Sequence, residues 1–316
     1  KQTMPSIIVL DKLSPDGLAL LDAAGRLGIS YEVKTGLSGQ ELKEALASHD
    51  GAICRSGVKI TADVLAGNHR LRAIVRAGVG TDNIDKQAAT RQGIVVMNTP
   101  AGNTVSTAEH AFTLLLALSR NVAPADASLR EKRWDRSKYM GVQLAGKTLG
   151  IVGMGRIGQA VASRARAFDM RVVVYDPFLA AERAGELGVE LFGSVREMLP
   201  ELDYLTVHTP LTDDTRHLIG KEELSLLKPG VRVVNCARGG IYDEEALLEG
   251  LESGVLAGVA LDVFETEPCT ESPLFGRSDV LVTPHLGAST EEAQSQVAIE
   301  GVNLLTDLDG FFAWGE

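Results

Sequence analysis

Short runs of β-branched and other apolar residues alternate with helix-like segments along almost the whole chain, and this alternation restricts the possible folds most. Ser6–Leu10 predicts a strand, and Pro15–Leu27 predicts a helix that Ser14 caps. Further strands are predicted at Gly51–Cys54, Leu71–Arg76 and Gly93–Met97. Because strands that alternate with helices form right-handed βαβ units around a parallel sheet, the sequence predicts an α/β fold.

A second α/β series follows a long predicted helix at Asn103–Leu118 and a polar, irregular stretch at Asn121–Gln143. Its strands are predicted at Thr148–Val152, Arg171–Tyr175, Tyr204–His208, Arg232–Asn235, Val255–Leu261 and Val280–Thr283. A last helix, at about Glu291–Thr306, has no strand after it. We therefore predict two lobes, residues 1–100 and 101–288, with residues 289–316 returning to the first lobe; 316 residues are enough for two domains.

Composition excludes several classes of protein. The formal net charge of -11 argues against non-specific nucleic-acid binding, which needs a basic surface. The three cysteines are far apart and odd in number, so neither a disulfide framework nor a metal site is indicated. No signal peptide or membrane-spanning stretch is recognisable. We therefore expect a cytoplasmic protein that binds neither nucleic acid nor membrane.

A dinucleotide-binding motif stands at the start of the second lobe. Gly153, Gly155 and Gly158 form the pattern G-x-G-x-x-G between a predicted strand and a predicted helix, and Asp176 ends the next strand. The glycines allow a tight turn, approach of a pyrophosphate and close helix packing, and the acidic residue binds ribose hydroxyls. A glycine-rich turn that binds no ligand is the alternative, but the strand, turn, helix and acidic residue together favour a cofactor site. Asp176 would repel the 2′-phosphate of NADP, so the expected cofactor is NAD.

Three later strand ends carry residue types suited to oxidising a 2-hydroxy acid. His285 is a candidate base, an arginine such as Arg238 binds a carboxylate, and a nearby carboxylate would orient the histidine. Glu265 and Glu267 are both candidates for that carboxylate, and the pattern alone does not separate them. His208 also ends an apolar strand, but no comparable acidic motif accompanies it.

The segments GMGRIG, HTPLTDDT, NCARGGIYDEEAL, ALDVFETEP and TPHLGAST resemble the D-isomer-specific 2-hydroxyacid dehydrogenases in order and spacing. The resemblance covers about Ile7 to Asn303 and is greatest to the phosphoglycerate-oxidising branch, through RAGVGTDNID and VMNTPAGNTVSTAEH. It implies a Rossmann cofactor domain at 101–288, a doubly wound parallel sheet. It also implies a smaller, discontinuous, flavodoxin-like substrate domain. We expect the chain to correspond to the catalytic part, without the C-terminal regulatory domains found in many members.

The resemblance also implies roles for individual residues. Arg238 would bind substrate, His285 would be the general acid/base, and Glu267 rather than Glu265 would be its partner. Cofactor contacts are implied at Gly153, Gly155, Arg156, Ile157, Gly158, Asp176, Thr209, Ala237, Asp262 and Gly287. Substrate contacts are implied at Arg55, Ser56, Arg76, Gly78 and Asn103. The family further implies a homodimer or homotetramer through the cofactor domain, with the segment at 121–143 reaching across.

The substrate suggested by this resemblance is a small phosphorylated 2-hydroxy acid, 3-phosphoglycerate, in the first step of serine biosynthesis. Cationic side chains near the predicted strand ends, among them Arg55, Lys59 and Arg76, suit a phosphate, although each could be an ordinary surface charge. A glyoxylate/hydroxypyruvate reductase of the same family is the alternative enzyme. An NAD-sensing transcriptional corepressor is the alternative from another class of protein.

Overall fold

The computed structural model describes residues 5–306, and the chain divides into two compact units. One unit contains the chain up to Asn103 together with the chain from Ser289 onward, and the other spans Thr104–Ala288. The outer ends of the predicted first domain, residues 1–4 and 307–316, lie outside the described residues. Within residues 5–306, every helix is too short or too polar to cross a membrane.

The first unit is built around a parallel five-stranded sheet of order β2-β1-β3-β4-β5. Its strands are β1 Ser6–Val9, β2 Ser30–Val33, β3 Gly51–Cys54, β4 Ala73–Arg76 and β5 Val95–Asn98. Its first helices are α1 Pro15–Gly25, α2 Gly39–Ala47, α3 Ala62–Leu65 and α4 Lys86–Arg91. The strand order is that of flavodoxin-like folds, as the resemblance described above implies.

The second unit is built around a parallel seven-stranded sheet of order β12-β11-β10-β9-β6-β7-β8. Its strands are β6 Thr148–Val152, β7 Arg171–Tyr175, β8 Glu190–Leu191, β9 Tyr204–Val207, β10 Val231–Asn235, β11 Leu256–Leu261 and β12 Val280–Val282. Its helices are α5 Thr104–Ser119, α6 Val122–Arg130, α7 Arg156–Ala167, α8 Ala181–Leu187, α9 Val195–Met198, α10 Lys221–Leu224 and α11 Glu244–Glu252. The order reverses where β6 pairs with β9, and ligands bind at such a point in doubly wound sheets.

The last helix, α12 Glu291–Thr306, completes the first unit. It packs against α1 and strands β3 and β4, and Val302 and Leu305 are fully buried. These side chains share a core with Ile7 and Val9 of β1, on the sheet face opposite to Ile8. The predicted fold class, with a discontinuous first domain, is therefore confirmed.

Three local features differ from the sequence predictions. Strand β2 was not predicted because it lies at the sheet edge, where none of its residues is fully buried, and β8 has only two residues. The stretch predicted to be irregular at Asn121–Gln143 contains α6 and a 3-10 helix at Arg136–Tyr139. Only Ser128 is buried within α6, so the apolar periodicity that marks a helix is weak there.

Candidate active site

Two of the three predicted catalytic side chains are in direct contact, at the carboxyl edge of the seven-stranded sheet. His285 Nδ1 lies 2.7 Å from Glu267 Oε2, and the other Glu267 oxygen accepts a hydrogen bond from the Phe264 N–H at 3.0 Å. The His285 side chain is 46% exposed, so it is open to a substrate while one ring nitrogen is held. Glu265 instead accepts a hydrogen bond from His217 Nε2 at 3.1 Å, so Glu267, and not Glu265, is the glutamate that contacts His285.

Arg238 is brought to the same place by the turn after β10. The buried Asn235 side chain donates to the Arg238 carbonyl at 2.8 Å and accepts from the Ala237 N–H at 2.9 Å, which fixes this turn. A side chain at Gly239 would overlap the backbone of Phe264, so a glycine lets the two loops pass closely. Arg238 therefore stands near enough to Glu267 for its charge to act on that carboxylate.

The electrostatics of Glu267 favour the ionised form. Partial burial by itself would raise the pKa of Glu267, but the hydrogen bond and charge of His285 outweigh it, with smaller effects from the Phe264 N–H and Arg238. The net result is that the pKa of Glu267 is lowered from its ordinary value. A carboxylate that remains ionised at neutral pH can hold one tautomer of His285 and stabilise the imidazolium.

His208, the competing histidine, has different surroundings. Its ring is largely enclosed at the end of β9, and burial lowers the pKa of His208 to about 4. Its Nε2 lies 3.0 Å from Thr206 Oγ1. His208 is therefore neutral at physiological pH, and among the described residues no carboxylate is hydrogen-bonded to it.

The glycine motif forms the turn between β6 and α7 at the reversal of strand order. Gly153 has φ +95°, and an added Cβ there would lie 2.7 Å from the His208 carbonyl oxygen. A Cβ at Gly158 would overlap the Gly153 carbonyl, so α7 approaches β6 only with glycine at this position. At Gly155 an added Cβ would meet nothing within 4 Å. Packing within the chain gives no reason for glycine at 155, whereas approach of a phosphate does.

Asp176 is held beside this turn by two backbone N–H groups. One carboxylate oxygen accepts from Met154 at 2.7 Å and the other from Phe178 at 2.8 Å. Arg156 is exposed and begins α7, whereas Ile157 is half-buried. The glycine turn, the free N-terminus of α7 and the acidic residue after β7 thus fit a dinucleotide.

The remaining predicted cofactor residues differ in accessibility. Thr209 and Ala237 are half-buried, and Thr209 Oγ1 lacks a hydrogen-bond partner among the described residues. Asp262 is 0% exposed. Its carboxylate accepts from Thr283 Oγ1 at 2.6 Å and from the Leu286 and Gly287 N–H groups at 2.7 and 2.8 Å. Asp262 therefore holds the turn that carries His285, and its cofactor contact stays a prediction.

The backbone of His285 itself adopts a left-handed conformation, with φ +55°. Such a conformation in a non-glycine residue costs on the order of 1 kcal/mol and persists where neighbouring contacts impose it. The His285 N–H donates to the Asp262 carbonyl at 2.8 Å, which supplements the bonds made by the Asp262 side chain. The site thus contains a residue in a strained conformation, held by the Asp262 carbonyl, next to two residues held by the Asp262 carboxylate.

The predicted substrate residues follow strands β3, β4 and β5 of the first unit. The Arg55 N–H donates to Asp11 at 2.6 Å, while Arg55 Nε is buried with no hydrogen-bond partner among residues 5–306. Burial lowers the pKa of the Arg55 guanidinium, and the charge of Asp11 partly offsets this. Gly78 has φ +149°, and its missing side chain leaves room for the Arg76 guanidinium. Ser56 is exposed, and Asn103 Oδ1 is buried without a partner in this part of the chain.

The polar residues that contact the His285 turn were not predicted from the sequence. Ser106 and His110 of α5 and Thr283 after β12 all contact this region. The spacing of four residues between Ser106 and His110 on one helix was the available signal. His110, Cys236 and Asp262 carry the one group of His, Cys and acidic ligand atoms within 4.8 Å of one another in the described residues. Since the Asp262 oxygens are engaged and burial raises the pKa of Cys236 well above its ordinary value, this set suits hydrogen bonding better than a metal.

Comparison with known proteins relates this geometry to a family. A model described as "D-isomer specific 2-hydroxyacid dehydrogenase, NAD binding domain" matches residues 112–287. The D-3-phosphoglycerate dehydrogenase of Methanocaldococcus jannaschii is 47% identical over 291 residues, which cover 92% of this chain and 55% of that protein. The chain thus spans about half the length of the curated relatives it matches.

Two solved structures are similar over nearly the whole chain. The crystal structure of the TT0316 protein from Thermus thermophilus has a TM-score of 0.87 at 37% identity and covers 97% of both chains. The crystal structure of a glyoxylate reductase from Paecilomyes thermophila has a TM-score of 0.88 at 29% identity, covering 98% of this chain and 96% of that chain. Each likeness therefore extends over both units of the chain.

Proposed function

The chain belongs to the D-isomer specific 2-hydroxyacid dehydrogenase family and carries its NAD-binding domain, and from this premise we propose that it oxidises 3-phosphoglycerate to 3-phosphohydroxypyruvate. This would be the first step of serine biosynthesis. The main support for this chemistry is the contact of 2.7 Å between His285 and Glu267. The His285 side chain is partly exposed, and the charge of Arg238 acts on Glu267.

The proposed mechanism assigns one task to each of these side chains. His285 Nε2 takes the proton of the substrate hydroxyl, while Glu267 holds Nδ1 and stabilises the positive charge that develops on the ring. Arg238 binds the substrate carboxylate through its guanidinium. NAD, when bound, supplies the hydride acceptor. Gly153, Gly155, Gly158 and Asp176 would hold it, since their turn leaves open space where a Cβ at 155 would stand.

The choice of a phosphorylated substrate has two supports. Relatives named D-3-phosphoglycerate dehydrogenase share 44–48% identity with this chain over at least 92% of its length. In the first unit, Arg55 Nε is buried without a hydrogen-bond partner among the described residues, and a guanidinium binds a phosphate or carboxylate well. The likeness to a glyoxylate reductase structure favours a reductase as the second candidate, although at only 29% identity.

The test is NADH oxidation followed by absorbance with 3-phosphohydroxypyruvate, hydroxypyruvate and glyoxylate in parallel. We expect turnover to be fastest with the phosphorylated acid. Faster turnover with hydroxypyruvate or glyoxylate would contradict the phosphoglycerate assignment and favour the reductase. Binding of NADH without turnover of any of the three would contradict an enzymatic role and favour the corepressor.

The His285 assignment is tested by replacing this residue alone. His285→Ala should lower kcat by about 10²–10⁴-fold, because general-base catalysis is lost while NADH binding remains. His217→Ala is the matched control, since His217 is also an exposed histidine that contacts a glutamate. Normal turnover by His285→Ala would refute the mechanism.

Cofactor choice is proposed to depend on Asp176. A carboxylate at this position would repel the 2′-phosphate of NADP. Asp176→Ala should therefore reduce the ratio of kcat/KM for NADH to that for NADPH. Asp214→Ala, in a loop of the same unit, serves as a surface-charge control. An unchanged ratio in Asp176→Ala would assign the selectivity to another residue.

We also propose a homodimer or homotetramer formed through the second unit. Trp134 and Met140 are 76% and 83% exposed in the segment at 121–143, and exposed apolar side chains of this size are often interface residues. Light scattering of the wild type and of Trp134→Ala would measure the assembly state.

The three cysteines are free, which supports the proposed cytoplasmic location.

A further inference from the structure

One face of helix α5 contacts the turn at residues 285–287. Ser106 Oγ donates to the Gly287 carbonyl at 2.7 Å, and a Cβ at Gly287 would lie 3.3 Å from the Thr107 side chain. One turn further along the helix, His110 Nε2 lies 3.0 Å from Thr283 Oγ1 and 3.2 Å from Asp262 Oδ1. The helix therefore supports this turn at two points.

The directions of the hydrogen bonds in this cluster follow from which of the atoms can donate a hydrogen and which can only accept one. Thr283 Oγ1 and Asp262 Oδ1 are 2.6 Å apart, so the threonine hydroxyl must donate to the carboxylate. His110 Nε2 then faces only acceptor lone pairs on these two atoms. His110 Nε2 therefore carries a hydrogen and donates it to both.

Asp262 in turn accepts hydrogen bonds from the backbone N–H groups of three consecutive residues. Its carbonyl accepts from the His285 N–H, and its two carboxylate oxygens accept from the Leu286 and Gly287 N–H groups. The carboxylate is 0% exposed, whereas the His110 side chain is 20% exposed. Because Asp262 is fully buried, the orientation of its carboxylate is determined by its hydrogen-bond donors. Among the described residues, the side-chain donors are His110 and Thr283.

We propose that His110 is a positioning residue for catalysis: its Nε2–H orients Asp262, which holds the strained turn that presents His285 to the substrate. This inference deepens the dehydrogenase function proposed above and depends on it for its kinetic part. A misplacement of about 1 Å in a catalytic group can lower a rate about 10²-fold, so loss of one donor at this point has a measurable effect.

The experiment uses two substitutions at position 110. His110→Leu removes the donor while filling similar space, whereas His110→Gln keeps an N–H at about the same distance from the backbone. We expect kcat to fall about tenfold or more in His110→Leu and to recover most of its value in His110→Gln. Ser119→Ala is the matched control, because Ser119 is a buried polar residue of the same helix that bonds Leu115 and Tyr204 instead.

A second readout does not require turnover. Amide hydrogen exchange of Leu286 and Gly287, followed by NMR, should be faster in His110→Leu than in the wild type, and close to wild type in His110→Gln and Ser119→Ala. If the wild type reduces none of the substrates tested above, the proposed dehydrogenase function fails, and this readout still decides whether His110 holds the turn.

Two results would overturn the proposal. One is wild-type exchange at Leu286 and Gly287 together with wild-type kcat in His110→Leu. The other is a His110→Gln variant that behaves like His110→Leu, since the donor would then not be the reason for the effect. If His110→Leu does not fold, Thr283→Val compared with Thr283→Ser tests the same link from the Thr283 hydroxyl, with the same two readouts and the same criteria.

Discussion

At the scale of single residues, His208 and His285 both lie just after strands of one sheet, β9 and β12, and yet their surroundings differ. His208 is enclosed, and burial lowers the pKa of His208 to about 4. His285 is 46% exposed and has a carboxylate partner at 2.7 Å. A ring that stays neutral is suited to packing and hydrogen bonding, whereas a ring with a charged partner can exchange a proton with a substrate.

Glu267→Gln should lower kcat at least about tenfold and move the acid limb of the kcat/KM profile for oxidation to lower pH. The pKa of Glu267 is lowered, so its negative charge is present throughout the neutral range and favours the protonated ring of His285. Without that charge, the proton taken up by the base is less well stabilised, so the acid limb of the rate profile moves to lower pH. Initial rates from about pH 5 to 10 would measure this.

Glu265→Gln is the matched control for this prediction. Glu265 lies two residues away but contacts His217 and the N–H of Glu244. We expect its pH profile to match the wild type. A shifted limb in Glu265→Gln together with an unshifted limb in Glu267→Gln would exchange the roles of the two residues.

His208 makes a separate prediction about stability. Its pKa is about 4 in the folded chain and near 6.5 when unfolded, so the unfolded chain binds the extra proton first as the pH falls. The free energy of unfolding should therefore decrease between about pH 6.5 and pH 4, with a loss of about 2 kcal/mol between pH 7 and pH 5 due to this residue. Urea unfolding of His208→Asn should show a smaller decrease over that interval, and an equal decrease would contradict the assignment.

The roles of single residues were predictable where a local sequence pattern indicates them, and not where they depend on contacts between distant parts of the chain. The pattern made His285 the candidate base, with His208 as a competitor, because a histidine after a strand is visible in the sequence; the role of His285 stays a prediction. It did not separate Glu265 from Glu267, because the direction of each carboxylate depends on how the loop after β11 turns. His110 was missed because its role requires a contact with Asp262, 152 positions later.

At the scale of elements, two glycines at the junction of β6 and α7 have different surroundings, and these explain differently why a side chain is absent. At Gly158 a side chain would overlap the backbone of Gly153, so the reason is the packing of α7 on β6. At Gly155 a side chain would meet nothing within 4 Å. Gly158 therefore serves the packing of the fold, whereas the open space at Gly155 is consistent with the cofactor contact that we propose there.

Gly158→Ala and Gly155→Ala should accordingly separate stability from binding. Gly158→Ala should lower the thermal midpoint, because a backbone segment must move to accept the methyl group. Gly155→Ala should leave the midpoint within a few degrees of the wild type but weaken NADH binding at least about tenfold. Differential scanning fluorimetry and NADH fluorescence titration measure the two effects, and a destabilised Gly155→Ala variant would contradict this division.

Elements were predictable where their residues were buried. The bounds of β3, β6 and β7 were predicted to the residue, because each contains a short run of buried residues. The edge strand β2, SYEV, has only exposed and half-buried positions and lacks such a run. Edge strands and two-residue strands leave little record in a single sequence.

At the scale of the whole molecule, the first unit is made from two distant parts of the chain. Leu305 and Val302 of α12 are 0% exposed, and they pack with Ile7 and Val9 of β1. This arrangement was predictable because no strand follows the last helix, although the resemblance to a family was needed to choose where the helix would pack.

Leu305→Ala should lower the free energy of unfolding of the first unit by about 2–5 kcal/mol, through lost burial and a cavity. Leu304→Ala, one position away on the same helix and 37% exposed, should cost less than about 1 kcal/mol. Urea unfolding would measure both variants. Equal effects of the two would mean that α12 does not bury the face described here.

The return of α12 to the first unit has a consequence for synthesis on the ribosome. Domains usually fold in the order in which they are translated. Here the unit that begins at the N-terminal side receives its last helix only after all of Thr104–Ala288 has been made. The nascent chain would therefore hold one finished unit and one unfinished unit, with the apolar face around Ile7 and Val9 lacking its helix until then. A pause in translation before Glu291 would extend the time during which that face is available to chaperones or to misassembly.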